Sequence, residues 1–323
     1  MSKPSWWQDD KVMFSFAPTV GINKDGEELY LIDPKTGKRT SEINDQLRKD
    51  VAALVAGQGP SETIHWVPLK EVRERGVAVP AYYDERTVEE YEKQVSAIWP
   101  TFTSATLGEL MDAEQLTIHG GHGSPPADMR TGTIPYIKVS DLRAGQVNIN
   151  PTNRVTEIVA RKYWGGSFSG LHPYDLITPA RTSKNIGEIS VLMPGQERVV
   201  LTKEMLVMRP GPQADFDAFY LLWAMSLKIV RHQWQRIVFM QTNREDTGWR
   251  YREIRIPIAP TREERDAIAE PFRRYYEGTA KLREEFLNYL AEDEHHHVFL
   301  ASVEAAKEAA EDPELAEEPS ESE

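Results

Sequence analysis

Residues 228–255 read KIVRHQWQRIVFMQTNREDTGWRYREIR, seven Lys and Arg against three Asp and Glu, with Trp234, Trp249 and Tyr251 among them. Gln233, Gln235, Gln241 and Asn243 add amides. Arg, Gln and Asn carry the donor and acceptor pairs that match guanine and adenine edges in the major groove, and cationic side chains suit phosphates. A second polar, basic stretch, PARTSKN at residues 179–185, lies between two apolar segments. Together they offer Arg181, Ser183, Lys184, Asn185, Gln241, Asn243, Arg244 and Arg250 as candidate DNA contacts. The same composition also describes a solvated loop and the end of an amphipathic helix.

Catalytic patterns are missing. There is no phosphate-binding Gly-x-x-x-x-Gly-Lys, no Gly-x-Ser-x-Gly elbow and no His-Glu-x-x-His. Zero cysteines exclude disulfides, zinc–thiolate sites, iron–sulfur clusters and cysteine nucleophiles. His119 and His122, in IHGGHG, could form a metal or phosphate loop, but the glycines also suit a plain turn. His295, His296 and His297 are consecutive, so on a helix they point in different directions. The carboxylates show no isolated pair of the kind that acid–base chemistry needs.

The elements that would position these residues are legible in part. Ile268, Phe272, Tyr275, Thr279, Leu282, Phe286 and Tyr289 fall at alternating spacings of four and three, which is heptad spacing. Thr261 with Glu264 forms a capping box at the start of that helix, and Pro271 should kink its first turns. The helix spans about 30 Å from residue 272 onward, and its one-sided stripe requires a partner helix. Residues 216–230 (FDAFYLLWAMSLKIV) are apolar nearly all round and read as one buried helix. Strands are expected at 133–139, 198–201, 206–208 and 253–258, with a turn at 141–145. Near the N-terminus, 12–16 and 29–32 read as two strands around a turn at 23–26. Residues 44–56 and 87–98 read as helices.

With 323 residues, 40% of them hydrophobic, the chain is long enough for two domains, and its mean hydropathy of −0.52 leaves no apolar run for a membrane span. Residues 1–7 lack the apolar core of a signal peptide, so a cytoplasmic location is expected. The formal net charge of −13 argues against nucleic acid until it is divided along the chain. Residues 105–260 carry 18 Lys and Arg against 15 Asp and Glu, whereas residues 302–323 carry 1 against 9. That tail is Ala-, Glu-, Pro- and Ser-rich and is expected to be disordered.

The order of motifs adds a resemblance. LGEL at 107–110, GTIPYIKVSDLRAG at 132–145, YDLI at 174–177, the apolar helix, and IRIPIAPTREER at 254–265 together resemble one half of the specificity subunit of type I restriction–modification systems. FSFAPTVGINKDG at 14–26, followed by Leu29-Tyr30 and by PAYYD at 80–84, is similar to the C-terminal region of adenine-specific DNA methyltransferases with a fused specificity domain. The catalytic Asn/Asp-Pro-Pro-Tyr/Phe motif of those enzymes and their glycine-rich cofactor loop are absent, since SPPA at 124–127 lacks both the amide and the aromatic.

The resemblance implies an α+β chain in four parts. A small α/β assembly region (1–104) precedes a mixed α/β target recognition domain (105–260), a long coiled-coil-type helix (261–301) and a disordered acidic tail (302–323). It implies a non-catalytic subunit that reads double-stranded DNA for a methyltransferase, with or without a restriction or translocase subunit, in phage defence. S-adenosylmethionine would be bound by that partner and no cofactor by this chain. The long helix would pair with a second copy or dock on the methyltransferase. An acidic DNA mimic, a structural adaptor and a metal-dependent hydrolase using the histidines remain the alternatives.

Overall fold

The computed structural model describes residues 10–23, 25–56, 62–149, 152–181, 183, 185–239 and 246–292. The chain divides into two compact units, residues 1–89 and 90–323. Helices and strands are mixed in both, an α+β architecture ending in a long helix.

In the first unit, β1 (Lys11–Ser15) is followed by β2 (Tyr30–Ile32), β3 (Arg39–Ile43), α1 (Gln46–Val55), β4 (Ile64–Pro68) and α2 (Leu69–Arg75). The expected hairpin between the first two strands does not form. β1 pairs antiparallel with β4, from Lys11 opposite Pro68 to Ser15 opposite Ile64, and β2 pairs with β3. Long-range packing overrides the local turn, because Phe14 stacks on Tyr83 with ring centroids 4.5 Å apart, in a core shared with Phe16, Ile64 and Val67. Asp45 caps α1 by accepting from the Arg48 amide at 2.8 Å. Asp50, buried on that helix, accepts from Ser15 Oγ and Thr63 Oγ1, which ties α1 to both strands of the ribbon.

Helix α3 (Arg86–Ile98) carries the chain into the second unit. There follow β5 (Thr103–Thr106), α4 (Leu107–Asp112), β6 (Leu116–Gly120), β7 (Ile134–Ile137), β8 (Leu142–Arg143), β9 (Gln146–Val147), β10 (Arg154–Val155) and α5 (Glu157–Trp164). Then come β11 (Leu176–Pro179), β12 (Ser190–Val191), β13 (Val200–Leu201), β14 (Met205–Pro210), α6 (Ala218–Ser226), α7 (Lys228–Ile237), β15 (Arg255–Ile258) and α8 (Arg262–Glu292). Among the described residues, a sheet ordered β6-β14-β11-β12-β9-β8 lies beside a smaller one ordered β10-β7-β13. All four residues of β7 are buried because it has a core on each side. Ile137 joins Leu142, Ile177, Leu201 and Val207, while Ile134 and Tyr136 join Val155, Ala160 and Val200. The expected turn at 141–145 is the β8–β9 connection, where Ala144 and Gly145 both have positive φ, as a two-residue hairpin loop requires.

The apolar stretch 216–230 is two helices rather than one. Leu227 adopts an extended conformation between α6 and α7, so the buried helix ends there and an amphipathic one begins. Asp217 caps α6 through the amides of Phe219 and Tyr220 and also pairs with Arg273 of α8 at 2.6 Å. Strand β5 pairs with β15, so residues 103–106 are held by the same unit as 255–258.

The expected capping box of α8 is present: Thr261 Oγ1 accepts from the Glu264 amide, and Glu264 accepts in return. The helix continues through Pro271. No helix of the described residues is long and apolar enough to cross a membrane, and no group of three metal-ligating side chains is found among them.

Candidate nucleic-acid interface

The two basic stretches, far apart in the sequence, meet in space. Strand β11 ends at Pro179, and the Ala180 carbonyl then accepts from the Thr247 amide at 2.8 Å. Arg181 forms a one-residue antiparallel bridge with Asp246. The Arg181 guanidinium lies 2.6 Å from Glu204 and 3.6 Å from Asp246, so it joins both strands of this contact. Hydrogen bonding to Glu204 holds its pKa above the ordinary arginine value.

Arg250 closes the other end. Its Nε donates to the Ile237 carbonyl at 3.0 Å, Nη2 donates to the Asp246 carbonyl at 2.9 Å, and the guanidinium sits over the Phe239 ring. Arg250 therefore fixes the residues that flank 240–245. Trp249 beside it is 48% exposed. Ser183 is half-buried, and its Oγ has no hydrogen-bond partner among the described residues. Asn185 is only 8% exposed and donates its amide to the Val139 and Leu142 carbonyls, which binds this loop to the β8–β9 hairpin. Lys184, Gln241, Asn243 and Arg244 lie outside the described residues.

Three of the arginines in 228–255 are paired with carboxylates inside the unit. Arg236 pairs with Glu253 at 2.5 Å, Arg252 with Asp112 at 2.7 Å and Arg255 with Glu92 at 3.0 Å. Gln233 is buried and brackets Arg255, accepting from its amide and donating to its carbonyl. Trp234 is fully buried against Gly187, where φ is +71° and a Cβ would lie 2.6 Å from the indole. These contacts tie α7 and β15 into the unit.

What α7 leaves in solvent is a single face. Lys228, Arg231, His232 and Gln235, at i, i+3, i+4 and i+7, are exposed, while Ile229, Val230, Gln233, Trp234 and Ile237 are buried. Periodicity applied to the polar positions, instead of a sum of charges, would have found this face in the sequence. Arg231 Nε lies 3.4 Å from the Ile186 carbonyl, so the α7 face is continuous with residues 185–188. The assembled surface presents Lys228, Arg231, the Gln235 amide and the Trp249 indole, a set suited to phosphates and base edges.

The two histidines of this loop are placed differently, His119 exposed and His122 half-buried. His119 lies in β6 with Nδ1 2.9 Å from the Gly120 carbonyl. His122 Nδ1 accepts from the Leu201 amide at 2.8 Å, which leaves Nε2 to donate to the Ser169 carbonyl at 2.8 Å. Burial, then the neighbouring His119, pushes the His122 pKa down, against the opposing bond to Ser169. His295 to His297 lie outside the described residues.

The heptad stripe of α8 lies beside a second stripe that packs on the domain. Arg265, Ala269 and Tyr276 face the domain, with the Tyr276 hydroxyl donating to the Gly145 carbonyl at 2.9 Å. Ile268 and Phe272 are half-buried, whereas Tyr275, Leu282, Phe286 and Tyr289 are exposed.

No protein-family model matches the chain, and no curated protein sequence matches it. Among solved structures it is similar to the S subunit of a type I restriction–modification system from M. genitalium, at 15% identity and a TM-score of 0.37 over 59% of this chain and 41% of that one. It is similar to the HsdS subunit from Thermoanaerobacter tengcongensis at 14% identity and a TM-score of 0.35, over 84% and 63% respectively. It is also similar to the type IIG restriction endonuclease BpuSI at 10% identity and a TM-score of 0.42, over 72% and 34%. The chain thus spans less than two thirds of the length of each.

Proposed function

We propose that this chain is a non-catalytic DNA sequence-recognition subunit that directs an adenine-specific DNA methyltransferase, with or without a restriction subunit, to its target site in phage defence. The observation that carries the reading is the convergence of residues 180–181, 185–188 and 246–250 with the exposed face of α7, which brings Lys228, Arg231, Gln235 and Trp249 together. The order of motifs along residues 105–290 supports the same assignment. Phosphates would be met by Lys228 and Arg231, and bases by Gln235, Gln241, Asn243 and Trp249. S-adenosylmethionine would belong to the partner methyltransferase.

Two further surfaces would serve assembly. Residues 1–89 expose Val20, Ile22, Ile32 and Ile43, an apolar set that suits docking on the methyltransferase. The exposed stripe of α8 would pair with a second copy or with the catalytic subunit.

Methylated adenines mapped in the native host with and without this chain test the reading. Loss of one specific methylated motif is the expected result, and an unchanged pattern overturns it. In the purified complex, Lys228→Glu with Arg231→Glu should weaken binding to all duplexes alike. The slope of log affinity against log salt should become shallower by about one unit for each phosphate no longer neutralised.

A further inference from the structure

Among the described residues, the most exposed large apolar side chain is Phe168, at 84%. It stands at the tip of the segment Gly165-Gly166-Ser167-Phe168-Ser169-Gly170 that follows α5. The base of this segment is fixed. His122 donates to the Ser169 carbonyl, Ser169 Oγ donates to the Glu197 carbonyl at 2.5 Å, and Arg209 Nη2 donates to the Gly170 carbonyl at 2.9 Å. Arg209 is itself locked to buried Asp175 by two hydrogen bonds. The backbone just after the ring is therefore anchored, and the ring stands out in water at a cavity of about 280 Å³ whose walls include Trp164, Leu171, His172 and Arg198.

The charge around the cavity selects its occupant. Glu157 is shared between Arg161 and Arg198, Asp175 is matched by Arg209, and Glu197 faces Arg283. With Lys162 exposed on α5, cations exceed carboxylates here in a chain whose net charge is −13. An exposed aromatic ring, an indole wall with Arg198 over it, and two arginines sharing the single carboxylate of Glu157 fit a planar base joined to phosphates.

We infer that Phe168 and the adjoining cavity form a second nucleic-acid site, one that stacks an unpaired or extruded base while Lys162 and its neighbours meet the flanking phosphates. The inference rests on nucleic acid being the partner, but not on the surface around α7. The small residues Gly165, Gly166 and Ser167 beside the ring allow a strand to approach the backbone closely.

The test measures binding of the full chain to three probes: a single-stranded oligothymidylate, a duplex with one unpaired thymidine, and the same duplex fully paired. Phe168→Ala should weaken the first two by about tenfold, the order expected for one base–aromatic stack, and leave the paired duplex nearly unchanged. Phe168→Trp should restore binding, whereas Phe168→Leu, apolar without a π face, should not. Unchanged thermal unfolding of all three variants is expected from the exposure of the ring. If Phe168→Ala binds all three probes like the parent while Lys228→Glu with Arg231→Glu weakens duplex binding, this site is wrong and the recognition surface stands. Loss of concentration-dependent self-association in Phe168→Ala, with oligonucleotide binding intact, would make the patch a protein contact and overturn the inference.

Discussion

Arg250 and Asn185 sit in the two stretches richest in DNA-contacting residue types, yet each commits its side chain to main-chain carbonyls. A contact residue and a residue that shapes a contact loop have the same composition; they differ in what a substitution does. Arg250→Ala should destabilise the fold by about 1–3 kcal/mol in urea denaturation, because the Ile237 and Asp246 carbonyls lose their charged donor. Arg250→Lys should recover only part, since one ammonium cannot span both carbonyls as the planar fork does. A surface phosphate contact at this position would instead lower DNA affinity with no loss of stability. His122 gives a second prediction. Burial lowers its folded pKa below the ordinary 6.5, so the unfolded chain takes up the proton first. The stability supplied by the neutral ring is complete above about pH 6.5 and is lost as pH falls through the depressed folded value. The urea midpoint should therefore drop on acidification, and His122→Gln should flatten that slope.

At the scale of elements, α8 is a helix with two jobs on adjacent stripes. Its inner stripe is bound to the domain by Arg265, which pairs with Asp215 and donates to the Ala259 carbonyl, by Arg273 on Asp217, and by Phe219 against Tyr276. Its outer stripe keeps Tyr275, Leu282, Phe286 and Tyr289 in water. Leu282→Lys with Phe286→Lys should leave the thermal unfolding of the chain unchanged, because neither side chain is packed. Mass photometry should show the same pair abolishing association through this face, alone or with the methyltransferase. Asp217→Ala acts on the inner stripe and has the opposite signature. It removes the α6 cap, worth about 1 kcal/mol, together with the link to α8, so the expected outcome is a lower melting temperature.

At the scale of the whole molecule, charge is arranged by segment. The net of −13 is concentrated toward the C-terminal end, where residues 302–323 hold nine carboxylates, while the middle of the chain is mildly basic. A polyanionic segment opposes approach to DNA through screened repulsion that acts within about 10 Å at moderate salt. Deleting residues 302–323 should not weaken specific DNA binding, as gel-shift titration of the assembled complex would show. A loss of affinity would give the segment a direct part in recognition.

The sequence by itself determined what local physics controls. It set the capping box at Thr261 and Glu264, the heptad period of α8, the β8–β9 turn and the helices near 46–55 and 86–98. Each depends on neighbours within a few residues, so spacing reveals it. Tertiary structure alone decided that β1 pairs with β4 rather than β2, and that 216–230 breaks at Leu227. It also turned Arg236, Arg252 and Arg255 toward carboxylates, which for the last two lie 140 and 163 residues away in the chain. The candidate site shows the same division. Composition found the two loops, but the Arg181–Asp246 bridge that joins them and the partition of α7 into a core face and an exposed one come from packing. A cation's availability depends on which carboxylate or carbonyl the folded chain brings within reach, and pairing between distant segments sets that.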